Sequence, residues 1–538
     1  MEITEFLSKI KKYSMEVYFL KFGKIEEQLK KIENKIQKES LDDKNYILEK
    51  IMEETIKSAP WIRVHMLSFC MFVSGQEEYA LKLLDYILNA SYDEIGEYNK
   101  LSHFWQICTV RFLNPKLQTS NINKRIDLLY VELLRVFKNA FGIGKRAYIP
   151  WNERTPELIF VFSSQVLGME HAPTKTLLDR CYVLKKQLKK DVVIINTAMQ
   201  IPAKGQAPFY RLVNATYADE LSGINKLEFK GETFGFYQCD NRMPDLDIMA
   251  DIIQRVKSKK PALIICIGGS DICADLCGMF IPQVTISTVF SQIAISCGEY
   301  QIVDKELAEA DKEELAILNV EPKNVKKTIF TFSFKEQTHR YNREQLKLED
   351  DKFILLVVGW RLDQEITDEF LNMMEKVLNE NANVQVAFMG KFDTYGDKLN
   401  KFTKLKKKSI NLGKQMDALA VIECCDLYIN PKRSGGGSSA AEALSKGIPI
   451  VTLGVGDVSV VAGKEFWVKD YTIMRDQILK YISNHKFYCD KSEMAIIRSK
   501  ELLNSEGNFG VTIEEILKEQ SKDKIQILKG SKSVLERK

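Results

Sequence analysis

In the first 145 residues apolar side chains recur at spacings of three and four. Leu7, Ile10, Tyr13, Val17 and Leu20 fall on one helical face, and the stretches from Ile51 to Ile56 and from Tyr79 to Leu88 repeat the pattern. This periodicity predicts an all-helical N-terminal domain over 1–145. No fixed-length repeat runs through it, so it does not read as a helical solenoid. Such a domain could hold a protein partner or an acceptor, or simply buttress the rest of the chain, and the sequence does not choose between these.

From Glu157 the period changes. Leu158–Phe162, Val192–Ile195 and Ala262–Ile267 are short, wholly apolar runs, separated by amphipathic stretches at Thr174–Lys189 and Asp247–Lys257. Runs apolar on both faces and separated by helices predict parallel strands covered on both sides, in an α/β fold of the doubly wound, Rossmann-like type. After a charged connection over 331–350 the alternation resumes with Phe353–Gly359, a helix from about Thr367 to Leu378, Val384–Gly390, a helix at Asp417–Cys424 and Asp426–Asn430. The expected organisation is a helical domain (1–145), a first Rossmann-like lobe (146–335), a second (336–480), and closing helices with a basic tail (481–538).

Composition narrows the function classes. The chain has 538 residues, 45% of them hydrophobic, and a formal net charge of +4. Residues 522–538 hold six Lys or Arg against Asp523 and Glu536, so the body is close to neutral and does not read as a nucleic-acid-binding surface. Eleven scattered cysteines and an N-terminus without a basic region and apolar core suggest a reducing, cytoplasmic location. Cys273 with Cys277, and Cys424 with Cys425, lack zinc-ligand spacing and read as small buried hydrophobes. No apolar run approaches the ~20 residues needed to span a bilayer. Lys398, Lys401, Lys404, Lys406, Lys407 and Lys408 form a basic strip. It reads first as a solvated helix face and second as a peripheral contact with an anionic inner membrane face.

The candidate chemistry centres on Asn430-Pro-Lys-Arg-Ser-Gly-Gly-Gly-Ser-Ser-Ala-Ala-Glu442, followed by Gly447-Ile-Pro-Ile450. Gly435, Gly436 and Gly437 allow close backbone approach, and a helix starting at Ser438 and Ser439 would offer free N–H groups and a favourable dipole to an anion. Glu442, one turn in, is placed to accept from ribose hydroxyls. A flexible Gly-Ser linker would not lie between two buried strands. The segment is neither a Walker A loop, which needs Gly-Lys-Ser/Thr, nor Gly-x-Gly-x-x-Gly.

This segment resembles the donor-binding motif of nucleotide-sugar glycosyltransferases with the GT-B fold, and the resemblance covers roughly residues 155–490. It implies two Rossmann-like lobes, with the donor on the second lobe, the acceptor on the first, and a last helix crossing back to the first. Arg361, in Val358-Gly-Trp-Arg-Leu362, looks like the Gly-Arg-Leu element that family-4 enzymes of this fold place on the diphosphate. The family's Lys five positions later is Ile366 here, which leaves Lys391 and Lys432 as candidate cations. Family-4 retaining enzymes carry two Glu eight positions apart. Glu442 is matched, but its partner is Ser434, so the stereochemical outcome stays open. Ile410-Asn-Leu-Gly-Lys414 resembles the loop whose backbone recognises the base.

An inverting transfer needs a base from the first lobe. His171, in Gly168-Met-Glu-His-Ala-Pro-Thr174, follows the first strand and precedes a helix with Pro173 near its start, so it is the candidate base. Glu170 is the poorer alternative. Gly268-Gly-Ser-Asp271 is another cleft-facing loop in which Asp271 reads as a helix cap. Asp245 and Asp247 spell an Asp-x-Asp, but after Pro244 they also read as a cap, and no metal is expected.

The resulting expectation is a metal-independent glycosyltransferase of the hexosyltransferase class. It would move a sugar from a nucleotide diphosphate donor, a UDP-sugar first, to a hydroxyl on a glycan, lipid-linked glycan or protein. No cofactor beyond that co-substrate is expected. Two alternatives stand beside it: a nucleotide-sugar epimerase of the same fold, and a non-catalytic partner subunit acting through the helical domain.

Overall fold

The computed structural model describes residues 2–92, 96–168, 171–200, 208–213, 216–240 and 242–522. Among the described residues, eight α-helices, from Glu2–Ile10 to Ser120–Ala140, precede the first strand. The sheet that comes next is built from β1 (Thr155–Ser163), β2 (Asp191–Asn196), β3 (Lys226–Phe229), β4 (Glu232–Gln238), β5 (Pro261–Ile267), β6 (Gln283–Ile286), β7 (Tyr300–Val303) and β8 (Val325–Lys327). Its order is β3-β4-β2-β1-β5-β6-β7-β8, parallel except for the β3–β4 pair. The second sheet contains β9 (Phe353–Gly359), β10 (Val384–Gly390), β11 (Ser409–Gly413), β12 (Leu427–Ile429), β13 (Ile450–Leu453) and β14 (Trp467–Val468). It runs β11-β10-β9-β12-β13-β14, all parallel. Both orders reverse direction beside their first strand, the position where open α/β sheets bind ligands.

Strand periodicity decides what each face covers. Phe160, Phe162, Ile264 and Cys266 pack into one cluster with Ile126, Tyr130 and Phe137 of the helical region. The alternating Ile159, Val161, Leu263 and Ile265 face the other way, into a cluster that continues to Tyr428 and Ala440 of the second lobe. The N-terminal helices thus join the core on one face of the first sheet, together with the helices Leu246–Lys259 and Ile272–Cys277. Tyr130 donates to Asp275 at 2.8 Å, and the main chain of Ala147 and Ile149 bonds to Met279 and Phe280.

The closing segment returns to the first lobe. Arg180, 2% exposed, donates to Asp179 (2.7 Å) and to the hydroxyl (2.6 Å) and carbonyl (2.9 Å) of Thr331, and Ser505 donates to the same Asp179 at 2.7 Å. Gln520, in the helical stretch 511–522, donates to the Tyr300 hydroxyl at 2.9 Å and accepts from Arg154 at 3.1 Å.

Several expectations change in detail. Strands β6, β7 and β8 are hidden in the hydrophobic pattern, because Gln283, Thr285 and Gln301 are buried within the first two. Gln283 donates to Asp275, Thr285 and Ser296, so its amide N–H groups are satisfied without solvent. Ile410–Gly413, expected as a loop, is the body of β11. Asp271 caps the helix Ile272–Cys277 by accepting from Ala274, and Asp245 caps Leu246–Lys259 by accepting from Asp247 and Ile248. The basic strip is partly tied down: Lys398 donates to the Ile366 carbonyl, Lys401 pairs with Asp368 and Lys408 with Glu349. Residues 523–538 of the basic tail, and Glu170, lie outside the described residues. Among the described residues no helix is long and apolar enough to cross a membrane, and no three His, Cys, Asp or Glu side chains group as metal ligands.

Candidate functional site

Between the two sheets lies a cleft of about 810 Å³, lined by residues at or just beyond the carboxyl ends of β1, β6, β9 and β10 and by the glycine segment. That segment is shaped from within by Arg433. Its guanidinium, 4% exposed, donates to Asn430 (2.7 Å), the Val358 carbonyl (2.7 Å), Glu365 (2.8 Å) and the Tyr428 hydroxyl (2.8 Å). It therefore staples the end of β9 to the end of β12, and its charge is met by Glu365.

The glycines answer to packing as well as to any ligand. Gly436 has φ +101°, and a Cβ there would lie 2.6 Å from Arg433. A Cβ on Gly437 would overlap the ring of Phe290, which reaches over from the first lobe. The helix Gly437–Ser445 then begins with its N-terminus in the cleft, with Ser438 and Ser439 on the wall. One turn in, Glu442 lies 3.8 Å from Lys175 of the first lobe. Lys175 belongs to the helix Ala172–Lys186, so this contact bridges the two lobes.

Of the remaining candidates, Arg361 lines the cleft, pairs with Glu365 at 3.1 Å and lies 5.0 Å from the ring of Phe112 in the helical region. Lys391 and Lys432 do not line it. At Gly390, where φ is +122° and a Cβ would overlap the Gly359 carbonyl, the chain turns and sends Lys391 outward to pair with Asp393 at 3.4 Å. Lys432 is exposed, its N–H bonded to the Tyr471 hydroxyl. Ile366 is fully buried in the core of the second lobe. The cations that do line the cleft are Lys175, Lys335, Arg361, Lys414 and Arg433.

His171 stands on the opposite wall as the N-cap residue of Ala172–Lys186, though its side chain makes no cap bond. Its Nδ1 is 2.9 Å from the Thr174 hydroxyl, which also accepts the Leu167 N–H at 2.9 Å. Burial first, and Lys175 second, lower its pKa to about 4, so the ring is neutral at pH 7.

Three residues of the cleft escape sequence reasoning. Asp457 is buried at the start of helix Gly456–Ala462 and accepts from the N–H (3.2 Å) and hydroxyl (2.9 Å) of Ser291 across the cleft; burial raises its carboxyl to about 7. Lys175 lies in the helix expected over Thr174–Lys189 and Phe112 in the helical N-terminal region, and nothing in their local sequence marks them. Lys414 to Leu419, following β11, also line the cleft, where a base-recognising backbone was expected.

Residues 352–484 match the family model described as glycosyl transferases group 1. The chain has the two-lobed GT-B fold with a helical N-terminal region. A mutant of the O-GlcNAc transferase from Thermobaculum terrenum matches 98% of this chain and 99% of its own at 11% identity, with a TM-score of 0.56. A glycosyltransferase from Rickettsia africae matches 68% of this chain and 99% of its own at 11% identity, TM-score 0.46. Anabaena HepE in complex with UDP and glucose matches 68% and 99% at 13% identity, TM-score 0.43. No curated protein sequence matches.

Proposed function

We propose that this protein is a glycosyltransferase that moves a sugar from a nucleotide diphosphate donor to a hydroxyl acceptor. The observation that carries the reading is the convergence on one cleft of a helix N-terminus, an arginine and a carboxylate from the second lobe, all facing a neutral histidine from the first. The N–H groups that open Gly437–Ser445, together with Arg361, would neutralise the leaving diphosphate, which is the largest demand of this reaction. Glu442 would accept from the ribose hydroxyls, with Lys175 shifting from Glu442 toward the donor's negative charge.

His171 would take the acceptor's proton. If the Thr174 oxygen accepts from both Leu167 N–H and Nδ1–H, the lone pair on Nε2 faces the substrate. A pKa near 4 makes it a weak base by itself. A bound diphosphate raises that basicity by favouring the imidazolium.

The test is a panel of nucleotide sugars, UDP-GlcNAc and UDP-glucose first. It reads binding by calorimetry and slow release of sugar to water without acceptor. The GlcNAc donor heads the panel because the matching Thermobaculum protein is an O-GlcNAc transferase. Glu442→Ala should weaken donor binding by about 10- to 100-fold, the value of a hydrogen-bonded charged group. Unchanged binding refutes the site. A sugar converted to its epimer without acceptor favours the epimerase. No nucleotide affinity at all favours a non-catalytic subunit.

A further inference from the structure

We propose that the helical N-terminal region is a working part of the donor site, through Phe112 and Gln118 as positioning residues for Arg361 and the glycine segment. This rests on the donor site proposed above. The helix Glu97–Leu113 ends beside the cleft, and the chain reverses through the short turn Pro115–Leu117 before Ser120–Ala140 begins. Asn114 closes the turn by accepting from Lys116, and Gln118 donates back to the carbonyls of Arg111 and Phe112. A turn held at both ends presents fixed groups.

Those groups meet the mouth of the glycine segment. Gln118 donates to the Ser434 hydroxyl, and that hydroxyl donates on to the Phe112 carbonyl at 2.8 Å. Ser434, 4% exposed, is thus held entirely by the helical region through its side chain, while its own carbonyl accepts from Asp457 N–H at 2.7 Å. The Phe112 ring sits 5.0 Å from the Arg361 guanidinium, and its Cζ is 3.4 Å from where a Cβ on Gly435 would be. An aromatic face attracts a guanidinium without neutralising it. Arg361 is pulled the other way by Glu365 at 3.1 Å. Phe112 therefore holds Arg361 over the loop with charge to spare, where Glu365 alone would draw it down against the helix Leu362–Glu365.

The same seam takes in the first lobe. Arg111 donates to Gln292, whose neighbours Phe290 and Ser291 contact Gly437 and Asp457. Helical region, first lobe and second lobe meet around the glycine segment and Arg361, where the diphosphate would lie.

That geometry sets the test, which uses the full chain with Phe112→Leu, Phe112→Tyr and Gln118→Leu, and UDP and UMP as probes. If the wild type binds guanosine or adenosine nucleotides instead, GDP with GMP or ADP with AMP replace them. Phe112→Leu keeps most of the bulk and loses the π face. It should weaken UDP about fivefold and leave UMP within twofold, because the monophosphate lacks the second phosphate that Arg361 meets. Phe112→Tyr should restore UDP binding, and Gln118→Leu should follow Phe112→Leu. Equal weakening of UDP and UMP means a merely structural role and overturns the proposal, as does unchanged UDP binding. Both results leave the donor-site reading intact. A wild type that binds none of the diphosphates overturns both.

Discussion

Asp457 ties the second lobe to Ser291 of the first, and its charge state changes near neutral pH. Burial moves its pKa from the ordinary 3.8 to about 7, against the hydrogen bonds from Ser291 and the charge of Arg361. The folded pKa lies above the unfolded one. The group's contribution is therefore most favourable below pH 3.8 and is lost as pH rises toward 7. At 1.36 kcal/mol per pH unit, the part of that loss falling between pH 5 and pH 8 is about 3 kcal/mol, an upper figure because the site can relax. Asp457→Asn removes the titration and keeps an Oδ1 that can still accept from Ser291. The assay is the thermal midpoint of wild type and variant across pH 5 to 8. The wild type should lose several degrees relative to Asp457→Asn as pH rises, the gap opening between pH 5 and 7. Parallel profiles for the two proteins would refute the assignment, because every other titrating group is common to both.

Three further perturbations follow from the packing. Gly437→Ala places a methyl against the Phe290 ring and should cost about 1–3 kcal/mol by overpacking, read as a lower midpoint; adding Phe290→Leu should recover part of it. His171→Ala should lower kcat by about 10²- to 10⁴-fold with the donor KM little changed, measured as transfer to acceptor against donor binding; a fall in donor affinity alone would remove His171 from the base role. Arg180→Ala leaves buried Asp179 only the Ser505 hydroxyl and Lys230 at 4.0 Å and should cost about 3 kcal/mol, seen as early release of the C-terminal segment in hydrogen exchange.

What could be read from the sequence divides along physical lines. Strands such as Phe353–Gly359, Val384–Gly390 and Ala262–Ile267 announce themselves because both their faces are apolar. The glycine segment announces itself because few backbones need three glycines before a helix. Gln283, Thr285 and Gln301 hide β6 and β7, since their amides and hydroxyls find partners only once the chain is folded. Lys391 and Lys432 are reasonable candidates from their place after strands. Yet a strand end fixes where the main chain goes, not which way a long side chain leaves it, and Gly390 turns Lys391 away. Lys175, Asp457 and Phe112 become visible only as contacts between segments far apart in the chain.

Ser434 shows why such contacts matter for chemistry. Against the family-4 resemblance it stands where that pattern has a second glutamate, eight residues before Glu442. In the structure it is a small hydroxyl between a donor amide and an acceptor carbonyl of the helical region, with 4% exposure. A glutamate there would push its carboxylate against the Phe112 carbonyl oxygen, a repulsion that burial would magnify. The helical region therefore disfavours an acid at this position. Ser434→Glu should accordingly pry the 111–118 turn away from the cleft, read as raised proteolytic cleavage between the two helices that flank it. It should not create a retaining enzyme, and a variant that kept the turn protected while transferring sugar with retention of configuration would defeat this account.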